Sequence, residues 1–205
     1  DGADFLSTSF VETTILQGRQ KAFGAELMLS KDAGKLNGWA SYTYSRSLIT
    51  VDGEKDWQDI NLGREYASNF DKPHVLNVIL NLKLNRRFSL SSNVVYNTGR
   101  PITIPKSAFF IEGQPFVEYS DRNQYRIPDY FRCDFSIKVE GNLKSKKPVH
   151  SYWILSAYNL TGRKNANTIF FISEEGKLNG YKYSVVGAPI ITLSWNWKLG
   201  NYANQ

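Results

Sequence analysis

The chain has 205 residues, a formal net charge of +6 and 14 % aromatic residues within an otherwise polar composition. No run approaches the roughly 18 apolar residues that a membrane-spanning helix needs, and residues 1–20 lack the order of a signal peptide, so a helical membrane protein is excluded. A single cysteine and two distant histidines exclude disulfide and zinc scaffolds, and the 25 basic residues lie among 19 acidic ones, which disfavours nucleic-acid binding.

Alternation of apolar and polar residues with a period of two recurs along the chain, whereas no segment shows an apolar stripe with a helical period. This pattern predicts an all-β protein with about seven strands, preceded by the end of a loop at residues 1–17. The predicted strands lie near residues 18–30, 38–46, 73–84, 88–98, 129–139, 150–172 and 181–199.

The alternation gives the predicted strands one apolar face and one polar face. The apolar set comprises Leu76, Val78, Leu80, Leu82, Val94, Phe135, Leu193, Trp195 and Trp197. The polar set comprises Asn77, Asn81, Asn93, Asn97, Asp134 and Ser136. Rings near the strand ends suit the headgroup level of a bilayer, and they belong to Trp39, Phe88, Tyr96, Trp153, Trp195 and Trp197.

The connections between the predicted strands alternate in length. Those at residues 31–37, 84–87 and 140–149 are short, whereas those at residues 47–72 and 99–129 are long. Alternating short turns and long loops are typical of an antiparallel transmembrane β-barrel, in which the apolar set faces lipid and the polar set faces a hydrated lumen. A soluble β-barrel that binds a hydrophobic ligand shows the same alternation with its leucines inside, so the pattern leaves that alternative open.

Four segments carry a resemblance to a known family. They read AFGAELMLSKDAGKLNGWASYTYSRS at 22–47, DKPHVLNVILNLKLNRRFSLSSNVVYNTGRPITIP at 71–105, RIPDYFRCDFSIKV at 126–139 and WILSAYNLTGRKNA at 153–166. From about residue 18 onward, the chain resembles the C-terminal barrel portion of TonB-dependent outer-membrane receptors, particularly those of Bacteroidota. The resemblance implies short periplasmic turns, long extracellular loops and a 22-stranded barrel closed by an N-terminal plug, which imports nutrients with energy transmitted by TonB.

About seven strands cannot close such a barrel, and nothing in the chain matches a plug or a TonB box, so we interpret the chain as part of a larger protein. The resemblance implies several partners. These are the remainder of the receptor barrel and its plug, the TonB complex, the barrel-assembly machinery through the last strand, outer-membrane lipid and a surface lipoprotein. Family members commonly end on an aromatic residue, whereas here NYANQ follows the last predicted strand. No cofactor is expected.

No catalytic arrangement is recognised, because His74 and His150 are predicted at opposite ends of the strands, and we expect a protein that is not an enzyme. The acidic residues 52–59 lack the glycine position of an EF-hand loop, so no metal site is expected. Aromatic rings and hydrogen-bonding groups in the long loops are the substrate-binding candidates. These are Trp57, Arg100, Phe109, Phe110, Phe116, Tyr119, Arg122, Asn123, Tyr125 and Arg126.

Weaker candidates lie in the first long loop and in a hairpin predicted to turn near residues 175–177. They are Tyr66, Phe170, Phe171, Tyr181 and Tyr183. The alternative for all of these side chains is packing between loops. At the level of function, the alternatives are a structural or assembly-associated outer-membrane barrel without transport and the soluble β-barrel described above.

Overall fold

A computed structural model describes residues 15–53, 55–111, 114–141, 148–174 and 177–200. The predicted loop at 1–17, turn at 140–149 and hairpin turn at 175–177 therefore fall partly outside the described residues. All strand pairs are antiparallel, which confirms the predicted fold class at the level of an all-β antiparallel protein. In the part of the chain that the structure describes, no helix is long and apolar enough to cross a membrane.

The described strands are numbered in chain order. They are β1 (Arg19–Lys31), β2 (Leu36–Thr50), β3 (Tyr66–Ala67), β4 (His74–Lys83), β5 (Phe88–Asn97), β6 (Pro101–Ile102), β7 (Pro105–Ile111), β8 (Gln114–Tyr119), β9 (Tyr125–Arg126), β10 (Tyr130–Glu140), β11 (Val149–Tyr158), β12 (Thr168–Glu174), β13 (Lys177–Tyr183) and β14 (Ile190–Leu199). A single 3-10 turn spans Asp56–Gln58 among these residues.

Seven long strands form the main sheet in the order β1-β2-β4-β5-β10-β11-β14, with β3 paired to β2. Neighbours in the sheet are successive long strands of the chain, so the sheet is a simple meander. The other short strands form three two-stranded sheets, which pair β6 with β9, β7 with β8 and β12 with β13. Within the described residues β1 and β14 lie at the two edges, and the sheet does not close on itself.

The register places the whole apolar set on one face of the main sheet and the whole polar set on the other. One row of large aliphatic residues crosses six strands. It consists of Leu36, Leu82, Leu90, Ile137, Leu155 and Leu193. The adjacent row on the opposite face is entirely polar. It consists of Asn37, Asn81, Ser91, Ser136, Ser156 and Thr192.

No residue of the seven long strands is buried. The buried apolar side chains of the described chain all lie in loops or in a short strand, and they are Val51, Tyr66, Ile127 and Ala166. In β11 the apolar-face residues Trp153 and Leu155 are exposed, whereas the adjacent Tyr152, Ile154 and Ser156 on the polar face are half-buried. The apolar face is thus the more open of the two.

Two aromatic rows flank the aliphatic rows on the apolar face. Near the short turns the row contains Phe88, Val139, Trp153 and Trp195. Near the long loops it contains Tyr42, Leu76, Tyr96 and Phe131. From Phe88 to Tyr96 the strand extends about 26 Å at roughly 3.3 Å per residue. The ring of Trp39, predicted with these residues, lies on the polar face instead, because it is in register with Ser30 and Ile79.

The single strand predicted over residues 150–172 is wrong, because the structure divides it into β11 and β12. Asn159 and Gly162 adopt left-handed φ angles of 53° and 62°, which an extended strand does not allow. The predicted strand over 181–199 is similarly divided into β13 and β14. The hairpin of β12 and β13 consequently has its own hydrogen-bonded ladder and does not prolong the main sheet.

Candidate functional site

The long connections lie together at one end of the main sheet, which we call the loop end. Residues 51–73 join β2 to β4, residues 98–129 join β5 to β10, and residues 159–189 join β11 to β14. The meander brings these three segments side by side. The candidate site is therefore the set of loops at this end together with the adjoining polar face of the sheet.

Asp71 joins the first two loops. Its side chain is fully buried, with 0 % exposure. It accepts the backbone N–H of Ser47 at 2.7 Å and the Nε–H of Arg46 at 3.2 Å, and it pairs with Arg126. Arg126 also donates to the backbone carbonyl oxygens of Asp71 and Gly99, at 2.7 Å and 2.9 Å. We call this cluster of the buried Asp71 with the half-buried Arg46 and Arg126 the latch.

The latch is held in its ionised form. Burial raises the pKa of Asp71, but the hydrogen bond from Ser47 and the two guanidinium groups lower it more, so the pKa lies below its ordinary value. A second carboxylate, Asp129, accepts the O–H of Tyr96 at 2.7 Å and the backbone N–H of Gly99 at 2.9 Å. These hydrogen bonds, that from Tyr96 first, lower the pKa of Asp129.

Further contacts connect the same two loops above the latch. Asn61 and Arg122 exchange two hydrogen bonds, in which the Asn61 amide accepts from the Arg122 N–H at 2.7 Å and donates to its carbonyl at 2.9 Å. The Asn123 amide donates to the Ala67 carbonyl and to Asn69, both at 2.8 Å. In the third loop, Thr168 accepts a hydrogen bond from Arg100 at 3.2 Å.

The predicted substrate-binding residues therefore separate into two groups. The structure places Arg126 and Asn123, the backbone of Arg122 and the side chain of Arg100 in contacts between loops, which corresponds to the packing alternative. Tyr66 is also unavailable to a ligand, because only 9 % of it is exposed.

Exposed aromatic side chains form the second group. Phe109 and Phe116 stack at 6.1 Å between ring centroids, on strands β7 and β8, and both are exposed. Phe170 and Tyr181 stack in the same way on β12 and β13, at 5.7 Å. The remaining exposed rings of the predicted candidates are those of Trp57, Tyr119, Tyr125 and Tyr183. The side chain of Phe110 lies outside the described part, and Phe171 points to the opposite face of its hairpin from Phe170.

Side-chain hydrogen bonds link the polar set across strands. Asn81 accepts from the Ser91 hydroxyl at 2.7 Å and donates to Asn37 at 3.3 Å. Asn93 donates to Asp134 at 3.3 Å. On this face of the sheet, neighbouring strands are therefore linked by side-chain hydrogen bonds between polar groups.

Sequence reasoning missed a cluster at the loop end of this wall. Arg132 donates to the hydroxyl oxygens of Tyr158 at 2.8 Å and Tyr130 at 3.2 Å, and to Asp134 at 3.0 Å. Asn165 covers the strand beside it, exchanging two hydrogen bonds with the backbone of Phe131. These residues lie on β10, β11 and the connection after β11, so only the strand register brings them together. The available signal was the polar-face position of Tyr130 and Arg132 beside a long loop.

Among the described residues no three metal-binding side chains lie together. The arrangement supports binding by stacking and hydrogen bonding. Comparison of the chain with known protein families, with curated proteins and with solved structures finds no match.

Proposed function

We propose that this chain is the C-terminal wall of a 22-stranded TonB-dependent receptor in the outer membrane of a bacterium. The receptor binds a nutrient at the loop end, which is extracellular, and imports it with energy transmitted by TonB. The observation that carries the proposal is a seven-stranded sheet that has all its predicted lipid-facing residues on one face and no buried residue of its own.

The apolar face requires a covering medium. Water-soluble monomers rarely expose continuous apolar patches larger than a few hundred Å². Here the exposed side chains on this face include Leu27, Leu29, Leu80, Leu155 and Leu193 on strands from one edge to the other. Lipid covers such a face without further protein. The aromatic rows lie about 26 Å apart along a strand, which is roughly 20 Å along the membrane normal at a tilt of about 40°, and they border the aliphatic rows as girdles border the apolar band of a membrane barrel.

The exposure pattern also favours lipid over the soluble-barrel alternative. In a soluble barrel the leucines fill the interior and the polar side chains face water. In β11, however, the apolar Trp153 and Leu155 are more open than their polar-face neighbours Tyr152 and Ser156. The polar face is then the inner wall, and its hydrogen-bonded asparagines and serines line a hydrated lumen.

Nutrient binding at the loop end is supported by the exposed aromatic pairs. Phe109 with Phe116, and Phe170 with Tyr181, present ring faces on two hairpins beside polar loop residues. Large rings left open to solvent are characteristic of recognition surfaces, because burying them on a ligand is favourable.

A structural barrel without transport is the second candidate function. The observation in its favour is the contact between loops, in which the latch and the Asn61–Arg122 pair fasten two long loops to each other. Loops fixed in this way suit a closed surface as well as a preorganised binding site.

The first experiment is the isolation of the native polypeptide that contains this sequence from alkaline-washed outer membranes, followed by intact mass measurement. We expect extraction with detergent only, and a mass several times 23.4 kDa. Recovery in the soluble fraction would contradict the membrane assignment, and an extracted polypeptide near 23.4 kDa would contradict the large barrel.

Transport is tested separately in cells, by competition between the parent strain and a deletion strain on a panel of single nutrients. We expect the deletion strain to grow more slowly than the parent on one nutrient. If an uncoupler makes the two strains take up that nutrient equally slowly, energised import is supported. Equal growth of both strains across the panel, with reduced outer-membrane integrity in the deletion strain, supports the structural role.

A further inference from the structure

A cavity of about 210 Å³ opens on the polar face at the loop end. Its floor is formed by Tyr130 and Arg132 of β10 and its side by Tyr158 of β11. Val185 and Val186, from the segment that leads to β14, contribute apolar wall. None of these five residues belongs to the predicted substrate-binding set.

The cavity is rich in hydrogen-bond donors. Nη1 of Arg132 donates to both phenol oxygens, at 2.8 Å for Tyr158 and 3.2 Å for Tyr130. Because arginine cannot accept a hydrogen bond, each phenol keeps its own O–H available for another acceptor. Nη2 of Arg132 has no acceptor among the described residues. The stacking of the guanidinium on the Tyr158 ring, at 4.5 Å, fixes this arrangement.

The acceptor side of the cluster is already satisfied. One oxygen of Asp134 accepts from Arg132 at 3.0 Å and from Asn93 at 3.3 Å, and the other accepts the backbone N–H of Asn159 at 2.9 Å. The carboxylate therefore orients Arg132 along the wall. It does not use the donors that remain in the cavity.

Three further cationic residues adjoin the lining of the cavity, since Arg163 and Lys164 lie just before Asn165 in the chain and Arg100 bonds to Thr168, which follows Asn167. None of the ion pairs of the described residues includes Arg100, Arg163 or Lys164. Arg163 donates to the backbone carbonyl of Asp129 at 2.9 Å and interacts electrostatically with its carboxylate, whereas Lys164 lies against Gly187, the residue that follows Val186. Unused donors on a guanidinium and two phenols favour a group that accepts hydrogen bonds, and such bonds are strongest when the acceptor carries negative charge.

We propose that this cavity binds the carboxylate or phosphate end of an anionic ligand. Nη2 of Arg132 and the hydroxyls of Tyr130 and Tyr158 donate to the anion, and Val185 and Val186 contact the adjoining carbon atoms. Pockets for whole drug-sized ligands measure roughly 300 to 1,000 Å³, so this smaller cavity takes one acidic end of a larger molecule. The inference rests on the proposed function, because it assigns an acidic group to the nutrient that the receptor is proposed to import.

The test uses the full receptor polypeptide in detergent and ligand-observed NMR. Butyrate is followed by proton saturation transfer, inorganic phosphate by ³¹P line broadening, and butyramide serves as the uncharged equivalent of butyrate. We expect butyrate or phosphate to bind and butyramide not to bind. The anion that binds more tightly identifies the acidic group as a carboxylate or a phosphate. Equal binding of butyrate and butyramide overturns the proposal.

Three variants make the test specific. Arg132→Met should weaken anion binding about tenfold or more, and Tyr158→Phe, which removes one O–H donor, about threefold to tenfold. Asp134→Asn should strengthen it, because the compensating negative charge is lost while the shape is kept. Arg64→Met is the control, since Arg64 pairs with Asp121 outside the cavity lining and should leave anion binding unchanged.

The opposite sign expected for Asp134→Asn separates anion recognition from a structural role, which would weaken binding in every variant. Should Arg132→Met fail to fold, Tyr158→Phe and Asp134→Asn decide the matter. Unchanged affinity in both of these variants overturns the inference. A protein that fractionates with the outer membrane yet binds neither anion retains the proposed function without this site.

Discussion

At the scale of single residues, Asp71 shows how a loop residue becomes a structural one. In the sequence it is one acidic residue among many in a polar loop, whereas the structure buries it between Arg46 and Arg126. Removing one partner of a buried charge pair leaves the other charge uncompensated, which costs more than the pair itself contributes. Loss of the Asp71 charge is therefore expected to destabilise the loop end.

The first prediction concerns Asp71→Asn. We expect the free energy for opening the loop end to fall by about 2 kcal/mol, because the buried carboxylate loses its charge-assisted hydrogen bonds to two half-buried guanidinium groups. Hydrogen exchange of the Ser47 amide, which donates to Asp71, measures this directly. The matched control is Asp52→Asn, whose carboxylate is 52 % exposed beside Arg19 and should change the opening free energy by less than about 1 kcal/mol. Equal effects of the two changes would show that the latch is not a stabilising contact.

The pH dependence of the same opening has a defined sign. The pKa of Asp71 is lower in the folded state than in an unfolded chain, where it is about 3.9. The stabilisation is therefore complete above that unfolded value and is lost as the pH falls through the lowered pKa of the folded state. Protection of the Ser47 amide, corrected for its intrinsic exchange rate, should fall in acid for the parent protein and stay nearly level for Asp71→Asn.

At the scale of elements, the long strands were predictable and the loop structure was not. Alternation in a strand such as β4 is a local property, so the sequence predicted both its position and its two faces. The end of β11 depends instead on Asn159 in a left-handed conformation, and on Asn165, whose side chain replaces a strand partner for Phe131. A side chain that substitutes for backbone pairing leaves no periodic signal.

The second prediction tests the two faces within β4. In the proposed orientation Leu80→Arg places a charge in lipid near the midplane and should cost about 2 to 4 kcal/mol in membrane assembly. Asn81→Arg places the same charge in the lumen at nearly the same depth and should be tolerated. The measurement is the fraction of protein that becomes assembled in the outer membrane, assessed by heat-modifiable migration in a gel. If Asn81→Arg is the more damaging variant, the inner and outer faces have been exchanged.

At the scale of the whole molecule, the sequence predicted which loops carry the binding candidates. It did not predict which of those side chains are already used in contacts between loops. Of its binding candidates in the loops, Phe109 and Phe116 are open to solvent. It could not show that Arg126 and Asn123 are used between loops, because those contacts join residues 55 and 56 positions apart. It also missed the Arg132 cavity, which exists only once β10 and β11 are in register.

The last prediction follows from the two edges of the main sheet. Within the described chain, β1 and β14 each have a neighbour on one side only, and lipid offers no hydrogen bonds to the backbone groups on the other side. Each such group costs several kcal/mol in a bilayer. Residues 1–205 produced alone should therefore fail to assemble into a folded membrane protein whose gel migration changes on heating. The full polypeptide of the proposed barrel should assemble into one. In the proposed barrel a further strand pairs with β1, so amides of β1 that point away from β2 should exchange slowly in the assembled protein. Fast exchange of those amides in the assembled protein would mean that β1 is a true edge, and the sheet would then have to be closed in some other way than by a larger barrel.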